Sequence, residues 1–213
     1  MTALADALAA LDLPLDRAGP LRDFVGLFHK WNQRINLSAA RSEPEVDDHV
    51  IDCLHLVPHL RAADLASPRS PPASLLDVGS GGGLPAAIIA ICLPAIAVTA
   101  LEPVHKKHAF LRTAARELRL ANFEPLAERL TDHARTDYAA ASSRATFDLR
   151  DWLTVGLRHV RPSGVVFGFE AVERSDLPPG TQRFPYAHHA KSRAIVALQR
   201  PPLPDPTDPA RPQ

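Results

Sequence analysis

Residues 75–85 constrain the fold of this chain more than any other segment. They read L-L-D-V-G-S-G-G-G-L-P, an apolar run that ends in an acid and then turns through several glycines. Glycine lets the backbone adopt positive φ and lets another group approach closely, which suits Gly79 and Gly81 to a tight turn. Pro85 stands where a helix would begin. The segment therefore predicts a strand, a turn and a helix, the opening of a βαβ unit.

The same turn indicates a bound nucleotide cofactor. The dinucleotide fingerprint G-x-G-x-x-G would need its third glycine at position 84, where the chain has Leu84. The pattern present is D-x-G-x-G-x-G, from Asp77 to Gly83, and it favours S-adenosylmethionine, which has no pyrophosphate to bind. A second apolar run ends in Glu102, about twenty residues further on, where a carboxylate can accept hydrogen bonds from ribose hydroxyls. The alternative is a tight βα connection that binds nothing.

Composition limits the chain to one domain of this kind. A length of 213 residues suffices for a single well-buried core. No run approaches the ~20 apolar residues of a membrane span, so we expect a soluble, cytoplasmic protein that makes no membrane contact. The formal net charge is zero, so any site for a polyanion must be local. Both cysteines, Cys53 and Cys92, lie in apolar helical patterns and are expected to be free thiols.

The periodicity predicts an α/β fold with a Rossmann-like parallel sheet and an N-terminal helical cap. Residues 1–66 show helical spacing, with a capping box at Ser42 and Glu45, and form the cap. Residues 67–200 alternate strand and helix and form the cofactor-binding core. Five strands are expected in order, at 75–78, 96–101, 123–126, 138–142 and 165–169, with a closing hairpin over 181–198. Residues 201–213 are rich in proline and are expected to be disordered.

Two clusters of polar residues can be interpreted either as functional sites or as ordinary structural features. His49, Cys53 and the nearby histidines lack any established metal-ligand spacing, so we expect no metal. The segment after Glu102 places basic residues at helical spacing opposite an apolar face. That stripe is either a solvated helix face or a contact surface for a nucleic-acid backbone. Its candidate RNA-binding residues are Lys106, Lys107, Arg112 and Arg116.

Several further motifs resemble the RsmG or GidB family of bacterial 16S rRNA guanine-N7 methyltransferases. They are H-K-W-N at 29–32, N-L-S at 36–38, His49 with Ile51-Asp52, the glycine turn with G-L-P at 83–85, Lys106-Lys107, Ser143-Arg144-Ala145 and Arg193. The resemblance spans residues 21–198, and its W-N-x-x-x-N-L and G-L-P elements are more specific than the glycine turn alone. It implies a class I methyltransferase fold, S-adenosylmethionine as cofactor, and 16S rRNA or the 30S subunit as partner of a monomeric enzyme.

The resemblance also implies site residues. Cofactor contacts are expected from Gly79, Leu84, Leu130, Thr131 and Arg144, beside those of Asp77, Gly81, Gly83 and Glu102 at the turn and the second strand. Because guanine N7 has a free lone pair, methyl transfer needs alignment rather than a general base, and no certain catalytic residue is expected. Arg144, Phe147 and Trp152 follow the fourth strand and are candidates for the substrate side, while Arg193 is a candidate RNA contact.

The chain departs from the family pattern at four places. Thr131 stands where the family usually has an acid, and Ala86 stands where it has a glycine. Asp48 replaces an arginine, and Glu170-Ala171 replaces a Lys-Gly pair, so two cations are missing from the expected RNA side. These reversals leave two alternatives open. The chain could methylate a small molecule, or it could be a cofactor-binding protein without catalysis.

Overall fold

A single mixed sheet forms the centre of the computed structural model, which describes residues 2–62, 73–189 and 191–203. Its strands are β1 Ser74–Val78, β2 Ala97–Leu101, β3 Phe123–Leu126, β4 Tyr138–Ser143, β5 Val160–Glu170, β6 Gln182–His188 and β7 Lys191–Gln199. They lie in the order β3-β2-β1-β4-β5-β7-β6. Strands β1 to β5 are parallel, and β7 is antiparallel to both of its neighbours. The five predicted strands and the closing hairpin are confirmed.

Seven α-helices accompany the sheet in the described part of the chain. They are α1 Ala3–Ala10, α2 Ala18–Ile35, α3 Glu43–Leu54, α4 Val57–Ala62, α5 Ala86–Cys92, α6 His105–Glu117 and α7 Leu149–Gly156. The predicted capping box is present, since the Ser42 hydroxyl accepts a hydrogen bond from the Glu45 amide at 3.5 Å. The expected boundary between residues 66 and 67, and the tail from 204 onward, lie outside the described residues.

The sheet buries its two faces in different ways. Leu75 of β1 packs into a core shared with the N-terminal helices, α5 and α6, whereas Leu76 and Val78 pack on the other face with α7. This alternation follows from the two-residue period of a strand. In the shared core, Phe28 of α2 meets Phe110 of α6 edge to face, with ring centroids 5.8 Å apart. The N-terminal helices are therefore built into the core of the sheet.

The W-N-x-x-x-N-L motif fixes the loop after α2. The Asn32 side chain donates to the Ala40 carbonyl at 2.6 Å and accepts from the Ser38 amide at 2.8 Å, so both ends of its amide are used. Asn36 ends the helix in a left-handed conformation with a φ of 55°. These contacts bring Leu37 to the glycine turn, where its Cβ would lie 3.3 Å from a Cβ added to Gly82. The motif is thus structural: it connects the cap to that turn.

No described helix is both long and apolar enough to cross a bilayer. Within the same ranges, no three potential metal ligands of the His, Cys, Asp and Glu types come together.

Candidate functional site

The candidate site lies where the direction of strand connection reverses. Strands β2 and β3 follow β1 on one side of the sheet, and β4 and β5 continue on the other, so the carboxyl ends of β1 and β4 flank a crevice. Ligands of open α/β sheets bind in this position. A cavity of about 290 Å³ occupies it. The lining residues are Val78, Gly79, Leu101, Pro103, Glu128, Arg129, Leu130, Thr131, Thr146 and Phe147.

The glycine turn is shaped mainly by protein neighbours. Gly79 has a φ of +71°, and a Cβ added to it would lie 2.3 Å from the Thr146 hydroxyl oxygen. Gly81 also has positive φ, yet no atom lies closer than 3.9 Å to the position of its missing Cβ. A Cβ on Gly82 would lie 2.3 Å from the Phe28 ring. Gly79 and Gly82 are therefore required by the packing of the turn against the loop after β4 and against the cap.

Glu102 holds the glycine turn in place. Its carboxylate is buried and accepts hydrogen bonds from the Gly81 amide at one oxygen and from the Val104 amide at the other, both at 2.8 Å. The residue thus lies where the sequence predicts a ribose-binding acid, with each oxygen already accepting one backbone hydrogen bond. A carboxylate oxygen has two lone pairs, so a ribose hydroxyl can share either one. Substitution of Glu102 would accordingly disturb the turn as well as any ribose contact.

Asp77 carries a buried oxygen atom without a partner. It is the second-last residue of β1, two positions before Gly79, and its Oδ1 accepts from the Ser142 hydroxyl at 2.7 Å. Oδ2 is buried and has no hydrogen-bond partner among the described residues. Burial raises the pKa of Asp77 to about 6, against the opposing effect of the Ser142 hydrogen bond. Such an atom fits a cationic ligand group, because an ammonium would compensate the buried negative charge.

The two aromatic candidates for the substrate side have different environments. Phe147 lines the cavity with 42% of its surface exposed, and its ring stacks on Trp152 with centroids 5.7 Å apart. Trp152 itself is 1% exposed and donates its indole N–H to the Phe167 carbonyl at 2.7 Å. The expectation that Trp152 faces a substrate is wrong, because this ring belongs to the core under Phe147. Phe147 stays a candidate.

Arg144 points from the end of β4 toward the cap. Its guanidinium donates to the Cys53 sulfur at 2.7 Å and to the His49 carbonyl at 3.3 Å, and it is absent from the residues that line the cavity. Burial and the nearby Arg144 cation lower the pKa of His49, so its imidazole is neutral at pH 7. Arg144 therefore joins α3 to the sheet beside the site, and its contact with the cofactor stays a prediction.

A buried acid organises the same region. Asp52 of α3 accepts from Arg193 of β7 at 2.7 Å and from the Tyr186 hydroxyl of β6 at 2.8 Å, and Arg144 lies 3.8 Å away. Arg193, predicted as an RNA contact, is therefore paired with an acid from the cap. The Tyr186 ring also stacks on His55 at 3.9 Å between centroids. Sequence reasoning did not find this network, since its members come from three distant segments.

Comparison with known proteins identifies the family. The family model described as rRNA small subunit methyltransferase G, GidB, matches residues 18–200. The chain belongs to the GidB family. It is similar to a protein of Burkholderia pseudomallei (strain 668) named Ribosomal RNA small subunit methyltransferase G, with 38% identity over 83% of this chain and 79% of that one. A protein of the same name from Paracidovorax citrulli (strain AAC00-1) is 35% identical over 93% of this chain and 88% of its own.

Solved structures agree on the fold. The structure of TrmN from Thermus thermophilus matches with a TM-score of 0.54 at 21% identity, over 71% of this chain and 48% of that one. A SAM-dependent O-methyltransferase from Thermotoga maritima matches with a TM-score of 0.51 at 11% identity, over 69% and 64%. At these identities the likeness concerns the fold, which is that of the class I methyltransferases.

The two acids that depart from the GidB pattern are each paired with the β6–β7 hairpin. Glu170 at the end of β5 is 3% exposed and accepts from the Arg183 Nε at 2.8 Å. Asp48 of α3 lies 3.0 Å from the His189 imidazole, in the turn after β6. The negative charge of Glu170 is therefore neutralised by Arg183 of the protein itself.

The basic residues predicted along helix α6 fall into two groups. Lys106 and Lys107 lie in the first turn of α6, which begins three residues after Glu102. Arg112 and Arg116 are exposed and line a separate open cavity with residues at the starts of β2 and β3, among them Ala97 and Phe123. Those starts are at the edge of the sheet opposite the candidate site. Only the lysine pair is thus close to the cofactor crevice.

Proposed function

We propose that this protein transfers a methyl group from S-adenosylmethionine to N7 of a guanine in 16S rRNA. Membership of the GidB family supports the rRNA substrate, and the 290 Å³ cavity at the end of β1 carries the cofactor assignment. The proposal places the protein in the cytoplasm, where small ribosomal subunits are assembled.

The chain offers suitable groups for each part of the cofactor. The apolar walls at Leu101, Pro103 and Leu130 suit the adenine ring, and Glu102 lies at the end of β2, where ribose hydroxyls would be bound. The unpaired Oδ2 of Asp77 is the group for the α-ammonium of the methionine part. Asp77 lies at the carboxyl end of β1, and Leu101 and Glu102 lie at that of β2, so the sheet determines the relative positions of these three residues.

Little side-chain chemistry is required for this reaction. When bound, S-adenosylmethionine supplies a methyl group activated by the adjacent sulfonium. The N7 lone pair of guanine attacks without prior loss of a proton, so the protein has to bind, orient and exclude water. Phe147, exposed at the wall of the cavity, is the group placed to stack on a base turned out of the RNA.

Transfer of labelled methyl groups tests the proposal. Small subunits are prepared from a strain that lacks the rRNA mark, and matched subunits come from a strain that carries it. We expect labelled N7-methylguanine only in the unmarked subunits, or in free 16S rRNA if the enzyme acts before assembly. If neither RNA accepts label while a small molecule in cell extract does, the substrate class is wrong. If nothing is labelled, the protein is not a methyltransferase.

A further inference from the structure

The loop after β3 places a second acid at the cavity. The family acid expected at position 131 is replaced by Thr131, whose hydroxyl donates to the Asp132 carboxylate at 3.1 Å on the exposed side of the loop. Glu128, three residues earlier, lines the cavity together with Leu130 and Thr131. Asp132 is not among the lining residues. Glu128 is therefore the carboxylate available at this end of the cavity.

A buried histidine orients this carboxylate. The Nδ1 atom of His133 lies 2.9 Å from Oε2 of Glu128, and its Nε2 lies 2.9 Å from the hydroxyl oxygen of Tyr138. A carboxylate oxygen only accepts hydrogen bonds, so Nδ1–H donates to Glu128, and Nε2 forms a second hydrogen bond with the Tyr138 hydroxyl. The His133 side chain is only 7% exposed, and Tyr138 belongs to the core at the start of β4.

His133 holds Glu128 at one carboxylate oxygen and leaves the other oxygen available for a ligand. Oε1 of Glu128 makes no hydrogen bond to any residue in the described ranges. The side chain is 42% exposed, which is consistent with one oxygen facing an open ligand cavity. Gly79, two residues after Asp77 at the carboxyl end of β1, lines the same cavity, and β2 lies between β1 and the strand β3 that precedes Glu128. A cofactor whose amino-acid part lies at the turn therefore extends its base toward Glu128.

We propose that Glu128 accepts a hydrogen bond from the exocyclic amine of the cofactor's adenine and thereby selects adenine over hypoxanthine. His133 and Tyr138 are positioning residues that fix the direction of the free oxygen. The apolar walls at Leu101, Pro103 and Leu130 contact the faces of a purine and cannot distinguish one purine from another. Discrimination then depends on the polar edge of the base, where a carboxylate favours an amine and repels a carbonyl oxygen. This inference rests on S-adenosylmethionine as cofactor.

Calorimetric titration with two product analogues tests the inference without turnover. S-Adenosylhomocysteine carries the amine, and S-inosylhomocysteine carries a carbonyl oxygen in its place. The wild type should bind the adenosyl compound about ten-fold to a hundred-fold more tightly, as expected for a charge-assisted hydrogen bond. Glu128→Gln keeps the size of the side chain but can donate from its amide, so the preference should disappear or reverse. Asp132→Asn is the matched control and should keep the full preference.

The positioning role of His133 and Tyr138 is tested by the ratio of the two affinities. Tyr138→Phe removes only the hydroxyl that holds His133, so the ratio of the two affinities should fall while S-adenosylhomocysteine still binds. A merely structural role would weaken both ligands equally and leave the ratio unchanged. If Asp132→Asn abolishes the preference, or if Glu128→Gln preserves it, the inference is overturned. If the folded wild type binds neither compound, the cofactor assignment itself fails, and this result is distinct from binding without discrimination.

Discussion

Asp77 should make cofactor binding depend on pH. Burial raises the pKa of Asp77 to about 6, and an ammonium ligand pairs only with the ionised carboxylate. Binding of S-adenosylhomocysteine should therefore weaken as pH falls through this value, by about ten-fold between pH 7 and pH 5 for one coupled proton. Calorimetry across this range measures the slope. Asp77→Asn should bind weakly and with a flatter pH profile, and an equal slope in that variant would assign the titration to another group.

Two of the three positive-φ glycines of the turn, Gly79 and Gly81, should differ in their tolerance of a side chain. Gly81→Ala meets only backbone strain, of about 1 to 2 kcal/mol, whereas Gly79→Ala adds overlap with Thr146, 2.3 Å from the new Cβ. Gly79→Ala should lower the free energy of unfolding by about 2 to 4 kcal/mol in urea. Combining it with Thr146→Gly should recover the part due to overlap. Equal costs for the two single variants would contradict this account.

The residues of the site show what a sequence can predict about chemistry. Asp77, Gly79 and Glu102 are recognisable because their types and spacing follow from the strand, turn and strand that carry them. The partners of Glu102 and Arg144 are not, because the Gly81 amide and the Cys53 sulfur reach them only after the chain has folded. The residue types and their spacing predicted where each group lies in the fold. The tertiary contacts determine which hydrogen bonds it makes.

The β6–β7 hairpin neutralises the charge of Glu170, the acid that stands where the family pattern has a lysine. Arg183 of β6 binds both the buried Glu170 and the exposed Glu173. Glu170→Lys, which restores the family residue, should therefore place two cations together and lower the melting temperature by several degrees. Glu170→Lys with Arg183→Glu should recover most of that loss. Thermal denaturation of the two single variants and the double variant forms a complete cycle.

The outcome of that cycle also separates a structural from a binding role. If Glu170→Lys leaves the melting temperature unchanged and strengthens RNA binding, the acid acts on the substrate, as the sequence comparison alone would suggest. Glu173→Lys is the matched control, because Glu173 contacts the same arginine but is exposed. Its effect on stability should be small, as for other exposed ion pairs.

Helices and strands could be predicted only where the local sequence marks their ends. The helix at Ala86–Cys92 and the strand at Phe123–Leu126 have the predicted bounds, because apolar runs with clear ends define them. Strand β6 is harder to predict, because it contains Pro185, which lacks the amide hydrogen that a strand residue donates. Proline is tolerated at this position because β6 is an edge strand. Helix α1 lies within the predicted helical cap, where Thr2 caps it and Leu4 and Leu8 have helical spacing.

Across the whole fold, helix α6 connects the cofactor crevice with the opposite edge of the sheet. From Lys106 to Arg116 it rises by about 15 Å, at 1.5 Å per residue. A guanine that receives a methyl group must lie at the carboxyl edge, so the surrounding RNA should contact the lysine end of the helix first. The neutral net charge of the chain makes such local cations decisive for RNA binding.

Two double variants compare the ends of this helix. Lys106→Ala with Lys107→Ala should weaken RNA binding and reduce the slope of log affinity against log salt by about 1.5 units, the value for two lost phosphate contacts. Arg112→Ala with Arg116→Ala, which removes the same charge from the far edge, should reduce the slope by less than half as much. Affinity for S-adenosylhomocysteine should be unchanged in both. If the arginine pair has the larger effect, the RNA extends past the far edge of the sheet, and the docking surface is wider than the crevice alone predicts.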